Sequence, residues 1–196
     1  MVRAFLAEPL PTALVDELVD LARRAPAAGN TQGVAFLVLD QPPDVARYWD
    51  TTLPEARRAA FPWPGLLAAP VLVVPCVRAA AYVARYREAD KASTGLGAGT
   101  EQWAVPYWHV DGGMAVAQLL LLADDAGLGA LLFGIFEHEP AVRAAFGIPD
   151  DWQPLGTVAL GRPAGRQRPS RSAARARRPL AEILHRRRWP PSAGAE

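Results

Sequence analysis

The stretch Pro26, Ala27, Ala28, Gly29, Asn30, Thr31, Gln32 sets two primary amides among small side chains, and Asn30 is the only asparagine in the chain. Small residues let a flat ligand approach the backbone, Asn30 and Gln32 can supply amide hydrogen bonds to a heteroaromatic ring, and Pro26 fixes the turn that presents them. An ordinary turn in which Asn30 caps a loop is the plainer reading of the same residues. A second group, Trp103, Tyr107, Trp108 and His109, offers flat side chains that could stack on a planar substrate or, equally, pack with one another at an interface. His109 reads more readily as a hydrogen-bonded structural histidine than as a proton donor. A third group, Arg162, Arg166, Arg168, Arg171, Arg175, Arg177 and Arg178, lies among Pro, Gly, Ser and Ala and presents guanidinium forks that match phosphate oxygens.

Other chemistries are excluded by residue type and spacing. The single lysine, Lys91, follows Asp90 instead of a glycine-rich loop, so there is no Walker phosphate loop. The serines, Ser93, Ser170, Ser172 and Ser192, sit in no nucleophile elbow. His109, His138 and His185 are far apart and no cysteine cluster accompanies them, so no metal is assigned. Asp124 and Asp125 diverge as neighbours on a helix and read as its solvated end. Glu137 and Glu139 read as acids favouring the N-terminus of the helix that follows. Gly95, Gly97 and Gly99 follow a polar loop rather than a strand, which suits a flexible lid better than a dinucleotide fingerprint.

The elements that would position these groups follow from periodicity. Leu14, Val15, Leu18, Leu21 and Ala22 form an apolar stripe that predicts an amphipathic helix capped by Thr12 and ended by Pro26. Val34 to Leu39 and Val71 to Val77 read as buried strands. Asp44 to Ala60 holds helix, Phe61 to Gly65 makes a rigid turn, and Ala79 to Glu88 is helical. Lys91 to Pro106 reads as a loop long enough to cover a site. Asp111 to Ala126 predicts a central helix buried on nearly all sides, followed by strand Ala130 to Phe133, helix Pro140 to Phe146 and strand Thr157 to Leu160. The irregular interleaving predicts an α+β sheet sandwiched by helices rather than a doubly wound nucleotide fold.

With 196 residues, 51% hydrophobic and 21% charged, the chain is too apolar and too balanced in charge for disorder, and its length suits one compact domain. The net charge of +1 hides a division. Residues 1–161 carry 10 Arg and 1 Lys against 18 acids, a net of −7, whereas 162–196 carry 10 Arg against 2 acids, a net of +8. The division marks a domain over 1–161 and a basic C-terminal arm over 162–196 that belongs to it. A solvated tail, a nucleic-acid contact and a discrete phosphate site all compete for that arm. The acidic body argues against nucleic acid. No apolar run approaches the ~18 residues of a membrane span, no secretory pattern opens the chain, and the one cysteine, Cys76, sits in an apolar run. These features place the protein in a reducing cytoplasm, away from membranes.

The run Ala-Pro-Ala-Ala-Gly-Asn-Thr-Gln from Ala25 to Gln32, preceded by Arg3, Ala4 and Phe5, resembles the N-terminal signature of the FMN-dependent nitroreductase family, Ala-Pro-Ser-x-x-Asn-x-Gln. Asp111 to Gln118 with the leucines after it, and Asp125 to Gly129, are similar to that family's central helix and its glycine end. Phe133 to Phe136, the helix ending at Gly147, and Leu155 to Pro163 resemble its later segments in the same order.

The resemblance implies a mostly antiparallel sheet flanked by helices, in an intertwined homodimer with flavin mononucleotide at the interface. It implies that Arg3, with Arg175 and Arg177 ahead of Pro179, holds the flavin phosphate. Pro26, Ala27, Ala28, Asn30 and Gln32 would lie against the ribityl chain and ring, and backbone N–H groups near Gly134 and Ile135 would point at the ring's N5 edge. The implied reaction is ping-pong reduction of nitroaromatics, quinones or related small oxidised substrates by NADPH or NADH, with Trp103, Tyr107, Trp108 and His109 as substrate-binding candidates. Three departures bear on this. The basic residues usual ahead of Arg3 are missing, Ala27 replaces a serine, and Pro62 to Gly65 stand where a ring-reading polar side chain is common. They leave open a deazaflavin, or a flavin-binding protein without efficient nitroreductase turnover.

Overall fold

The computed structural model describes residues 1–165 and 167–189, so Arg166 and Ser192 lie outside the described residues. Among the described residues five strands form one sheet: β1 (Val34–Leu39), β2 (Val71–Val77), β3 (Gly129–Phe133), β4 (Gln153–Pro154) and β5 (Thr157–Gly161). The order is β1-β2-β5-β3, with every pairing antiparallel. Val34 faces Val77 across β1 and β2, Val73 faces Val158 across β2 and β5, and Phe133 faces Thr157 across β3 and β5. Pro75, which has no N–H to donate, falls where β2 changes partner from β5 to β4, so the missing donor breaks no ladder.

Successive strand side chains point to opposite faces, and here both faces are covered. Leu37, Leu72, Val74, Cys76, Leu131 and Phe133 meet Val45, Tyr48 and Trp49 of α2 (Pro42–Thr52) and Val142 of α6 (Glu139–Phe146). Phe36, Val38, Val71, Val73, Leu132 and Val158 meet Val15 and Leu18 of α1 (Thr12–Ala22) and Val116 and Leu119 of α5 (Tyr107–Asp125). Burial on both faces explains why β2 reads as an unbroken apolar run without alternation. The short α3 (Glu55–Arg58) and the helix α4 (Ala79–Tyr86) complete the set. The helix-flanked α+β architecture is the one the sequence pattern predicts, and its antiparallel sheet is the one the family resemblance implies. Among the described residues no helix is long and apolar enough to cross a membrane.

Four local expectations are corrected. Thr12 does not cap α1: Pro11 occupies that position, and its carbonyl accepts from the N–H groups of Leu14 and Val15 at 3.0 and 3.2 Å. The central helix α5 starts at Tyr107, four residues before Asp111, because Pro106 sets its start and accepts from the His109 N–H at 2.9 Å. Nor is α5 buried on nearly all sides, for Gly113, Ala117 and Leu121 line an exposed edge on which Leu121 is 70% accessible. The segment from Lys91 to Pro106 is packed on the body rather than shaped as a free lid: Arg87 Nε donates to the Gly97 carbonyl at 2.7 Å, and Trp103, whose Nε1 donates to the Leu96 carbonyl within the segment at 3.0 Å, packs on Tyr86 with ring centroids 4.7 Å apart.

The N-terminal segment runs between the sheet and the start of the basic arm. Leu6 N–H donates to the Arg162 carbonyl at 2.9 Å, Ala164 N–H to the Ala4 carbonyl at 2.9 Å, and Val2 N–H to the Ala130 carbonyl at 3.0 Å. Arg3 is thereby held between the edge of the sheet and the start of the basic arm.

Candidate functional site

The loop after α1 is held in an unusual shape. Gly29, Asn30 and Gln32 have φ of +63°, +53° and +55°, a left-handed region that costs energy for residues other than glycine and persists only where the surroundings enforce it. The enforcement is visible. Ala28 N–H donates to Asp111 Oδ2 at 2.8 Å, the same oxygen accepts from the Tyr82 hydroxyl at 2.8 Å, and Arg85 Nε donates to the Gly29 carbonyl at 2.8 Å. Thr31 Oγ1 donates to the Ala28 carbonyl at 2.5 Å. A Cβ on Gly29 would lie 2.9 Å from the Tyr86 ring, so glycine is needed for space as well as for φ.

Asp111 is 2% exposed, and the bonds to Ala28 and Tyr82 are what permit a carboxyl group there. Burial, and then the bond to Asp111, push the Tyr82 phenol far above its ordinary pKa, so it stays a donor. Arg85 is itself held by Asp90 through two contacts of 2.7 Å.

The loop forms one wall of a concavity of about 390 Å³ lined by Pro26, Ala27, Asn30, Gln32, Asp111 and Ala115, with Arg23 and Arg24 at its rim. Asn30 and Gln32 are exposed there. Arg23 and Arg24 both bond Asp20, which holds that carboxyl below its usual range. Asp111, Tyr82 and Arg85, which support this loop, are not among the candidates that residue type and spacing single out. The available signal was Asp111 itself, a lone acid at the head of an uncharged helical run.

A second concavity, of about 320 Å³, opens at the end of β3. Arg3, Trp63, Phe133, Gly134, Ile135 and His138 contribute to its lining. Tyr48 and Trp49 form its floor, with the Trp49 and Phe133 rings stacked at 5.7 Å and the Tyr48 hydroxyl 2.7 Å from Thr157 Oγ1. A Cβ on Gly134 would fall 2.5 Å from the Phe136 ring, which lies over it, 82% exposed, on a backbone with φ of +37°.

One chain does not unite the residues singled out from the sequence. The concavity with Pro26, Ala27, Asn30 and Gln32 lies on the α1/α5 side of the sheet, whereas the one with Arg3, Gly134 and Ile135 lies on the α2 side. Ala28 supports the first through its amide. Arg175 and Arg177 are exposed, follow the turn Arg171–Ala174, and line neither.

Trp103 is 9% exposed and packs against Tyr86 at 4.7 Å and Tyr82 at 5.9 Å. Trp108 joins that cluster at 6.1 Å from Trp103, with Tyr107 at the same distance, and His109 Nε2 lies 2.8 Å from Gln153 Oε1. None of these four lines either concavity. A further concavity of about 520 Å³, between the start of α1 and α2, contains none of the residues selected from sequence. Among the described residues there is no cluster of His, Cys, Asp and Glu suited to a metal. Amides, a guanidinium and apolar walls suit the binding of a planar molecule with an anionic end.

Residues 1–162 match the family model described as Nitroreductase family. A protein from Thermus thermophilus described as NADH dehydrogenase is 28% identical over 187 residues, which cover 86% of this chain and 85% of that protein. Among solved structures, a nitroreductase-like protein from Streptococcus mutans superposes with a TM-score of 0.74 at 16% identity, covering 94% of this chain and 91% of that one. A nitroreductase from Exiguobacterium sibiricum in complex with FMN superposes with a TM-score of 0.67 at 19% identity, covering 94% and 91%. These two structures share the fold, and the family model spans more than three quarters of the sequence. The chain belongs to the nitroreductase family.

Proposed function

We propose that this protein is an FMN-dependent oxidoreductase that works as a homodimer, drawing electrons from NADPH or NADH and passing them to small oxidised acceptors such as nitroaromatics or quinones. Nitroreductase family membership and a relative described as NADH dehydrogenase support the oxidoreductase reading. A family-fold relative in complex with FMN supports the flavin. The two sets of residues fit FMN by their chemistry: exposed amides at Asn30 and Gln32 in one, and a half-buried guanidinium at Arg3 beside apolar walls in the other.

The observation that carries the dimer is the separation of those sets on opposite sides of one sheet. A single cofactor touching both must be held between two copies, one presenting Asn30 and Gln32, the other Arg3, Gly134 and Ile135. The exposed apolar edge of α5, with Val110 at 40% and Leu121 at 70% accessible, supplies a surface for a second copy to bury.

FMN, when bound, supplies the two-electron chemistry of a ping-pong exchange between nicotinamide and acceptor. The protein's part is placement. The loop clamped by Asp111 and Arg85 holds Asn30 and Gln32 ready before any ligand arrives, so little ordering entropy is spent on binding. Gly134 has no side chain to keep a planar ligand from the backbone at the end of β3, so only the exposed Phe136 ring over it must turn aside. Arg3 offers charge to an anionic end, with Arg175 and Arg177 assigned beside it in the assembled dimer. Cys76 is buried and needs no oxidising compartment, in keeping with a cytoplasmic site of action.

Purified from cells, the protein should be yellow, and under anaerobic NADPH or NADH its band at roughly 450 nm should bleach and return on adding a quinone. Colourless protein that takes up no FMN would refute the reading. A band that neither nicotinamide bleaches would leave a flavin binder without reductase activity.

A further inference from the structure

The indole N–H of Trp49 is buried and, among the described residues, has no hydrogen-bond partner. The residue is 6% exposed, so water does not replace the missing acceptor. A buried donor left unpaired carries a desolvation penalty that native folds nearly always offset. Its neighbours show the contrast. The Tyr48 hydroxyl has Thr157 Oγ1 at 2.7 Å, and Trp103 Nε1 has the Leu96 carbonyl at 3.0 Å.

Trp49 stands in a wall shared by two concavities. One is that of Arg3, Gly134 and Ile135, and the other is that of about 520 Å³ between the start of α1 and α2. The wall continues in the turn Pro64–Ala68, from which Leu66 lines the first and Leu67 the second. From the side of the first, Tyr48 and Phe133 crowd the indole with ring centroids at 5.3 and 5.7 Å, and both line that concavity alone. The second leaves the approach open. Pro42, Val45, Ala46 and Trp49 line it at the spacing of one helix face.

The charges around the larger concavity narrow what can occupy it. Its walls are mainly apolar, with Leu10, Val45 and Leu67 among them. Arg58 is committed elsewhere: Nη2 donates to Asp50 Oδ1 at 2.6 Å and Nε to the Leu53 carbonyl at 3.1 Å. Asp40, also in the lining, has no basic partner within ion-pairing distance among the described residues. The uncompensated charge facing an occupant is therefore negative, which disfavours an anion. The start of α1 has neither a side-chain cap nor an acid in its first turn, so its partial positive charge favours a neutral acceptor oxygen at that end. The volume falls in the range of roughly 300–1,000 Å³ usual for small-molecule sites.

We propose that this concavity is a binding site for a neutral, mainly apolar small molecule bearing a carbonyl oxygen, which accepts from Trp49 Nε1. Apolar walls take the body of the ligand, and the unpaired N–H selects the oxygen. A hydrocarbon of the same shape leaves the donor as it was, and a carboxylate meets Asp40. The site is separate from the residues assigned to the flavin and requires no redox step.

The test is proton–nitrogen correlation spectroscopy on the full-length, nitrogen-labelled protein as purified, with any bound flavin retained. Its six tryptophans give six indole signals, and Trp49→Phe identifies that of Trp49 by its loss. The probes are indanone, a neutral bicyclic ketone, indane, the same frame without the oxygen, and indane carboxylate. Indanone should move the Trp49 signal downfield as its N–H gains an acceptor. It should bind about tenfold more tightly than indane, the worth of one hydrogen bond to an otherwise unpaired donor, and more tightly than the carboxylate. In Trp49→Phe, followed through the backbone signals of Val45 and Ala46, indanone and indane should bind within about twofold of each other. Ala46→Phe, at an exposed position of the wall, places a ring in the concavity and should abolish binding of all three probes. A Trp49 signal that indanone leaves unmoved, equal affinity for indanone and indane, or tighter binding of the carboxylate would each overturn the proposal. Indanone binding that survives Ala46→Phe would overturn it too, by placing the acceptor in the neighbouring concavity. No arm of the experiment involves electron transfer, so failure of the oxidoreductase reading would leave this result standing.

Discussion

Asp111 Oδ2 stands 2.8 Å from the Ala28 amide nitrogen across 83 residues of sequence, and that single contact joins the central helix to the loop carrying Asn30 and Gln32. The Tyr82 hydroxyl shares the same oxygen, so removing the carboxyl leaves two donors without a partner. Asp111→Ala should cost about 3 kcal/mol, since each unpaired buried donor costs roughly 1–3 kcal/mol. Asp111→Asn, which keeps an acceptor oxygen, should cost less than half of that. Urea denaturation measures both. Equal losses for the two variants would mean that the acceptor is not what the site requires.

The shared cofactor site predicts complementation between subunits. Arg3→Ala and Asn30→Ala, each as a homodimer, should both lose flavin occupancy, because every site then lacks one of its two contributions. A heterodimer of the two variants, purified through two different tags, should regain one intact site per dimer, read as bound flavin by absorbance. Occupancy that stays at the level of the single variants would contradict a site built from two chains.

Two glycines should respond in opposite ways to alanine. At Gly112 the new Cβ would meet Val77 Cγ1 at 2.5 Å and Leu155 Cδ1 at 2.6 Å inside a packed face, so Gly112→Ala should cost about 1–3 kcal/mol by overpacking. At Gly134 the three atoms nearest the new Cβ all belong to the outer end of the Phe136 ring, a side chain 82% exposed that can turn away. Gly134→Ala should change stability by less than about 0.5 kcal/mol while lowering flavin occupancy. Thermal melts give the first quantity and absorbance the second. A large stability loss at Gly134 would show that the Phe136 ring is fixed in place.

Alkaline pH should destabilise the fold through buried groups whose folded-state pKa is raised, Cys76 first, then Tyr48, with Tyr82 adding to the loss at the most alkaline end. Burial pushes the Cys76 thiol from near 9 up to about 11 and the Tyr48 phenol from near 10 up to about 12, the latter despite the bond to Thr157. Both groups are neutral when protonated, so the unfolded chain gives up these protons first. Their stabilisation is therefore complete below about pH 9 and is lost through pH 9 to 11 for Cys76, and 10 to 12 for Tyr48. The urea midpoint should be flat up to about pH 9 and then fall, and Cys76→Ala should remove the earlier part of the fall, on the order of 1–2 kcal/mol. An identical pH profile in Cys76→Ala would exclude the thiol.

Sequence alone determined the elements whose signals are local. Unbroken apolar runs mark β1 and β2, the stripe from Leu14 to Ala22 marks α1, and Gly147, with φ of +65°, ends α6 where the glycine predicts. Small residues around Asn30 and Gln32 marked the loop worth attention. Element ends were less legible where proline overrode a polar cap, as at Pro11 and Pro106, because a fixed φ and an available carbonyl start a helix without a side-chain bond.

Tertiary structure alone decided which groups meet. Asp111 reaches Ala28, Gln167 reaches Arg3 across 164 residues, and Arg168 joins Arg3 on Trp63, while Asn30 and Arg3 are parted by the sheet. Periodicity records the face of its element that each side chain occupies. Strand order and the path of the arm, which bring distant faces together, are fixed by burying both sides of one sheet at once, and no local pattern encodes that.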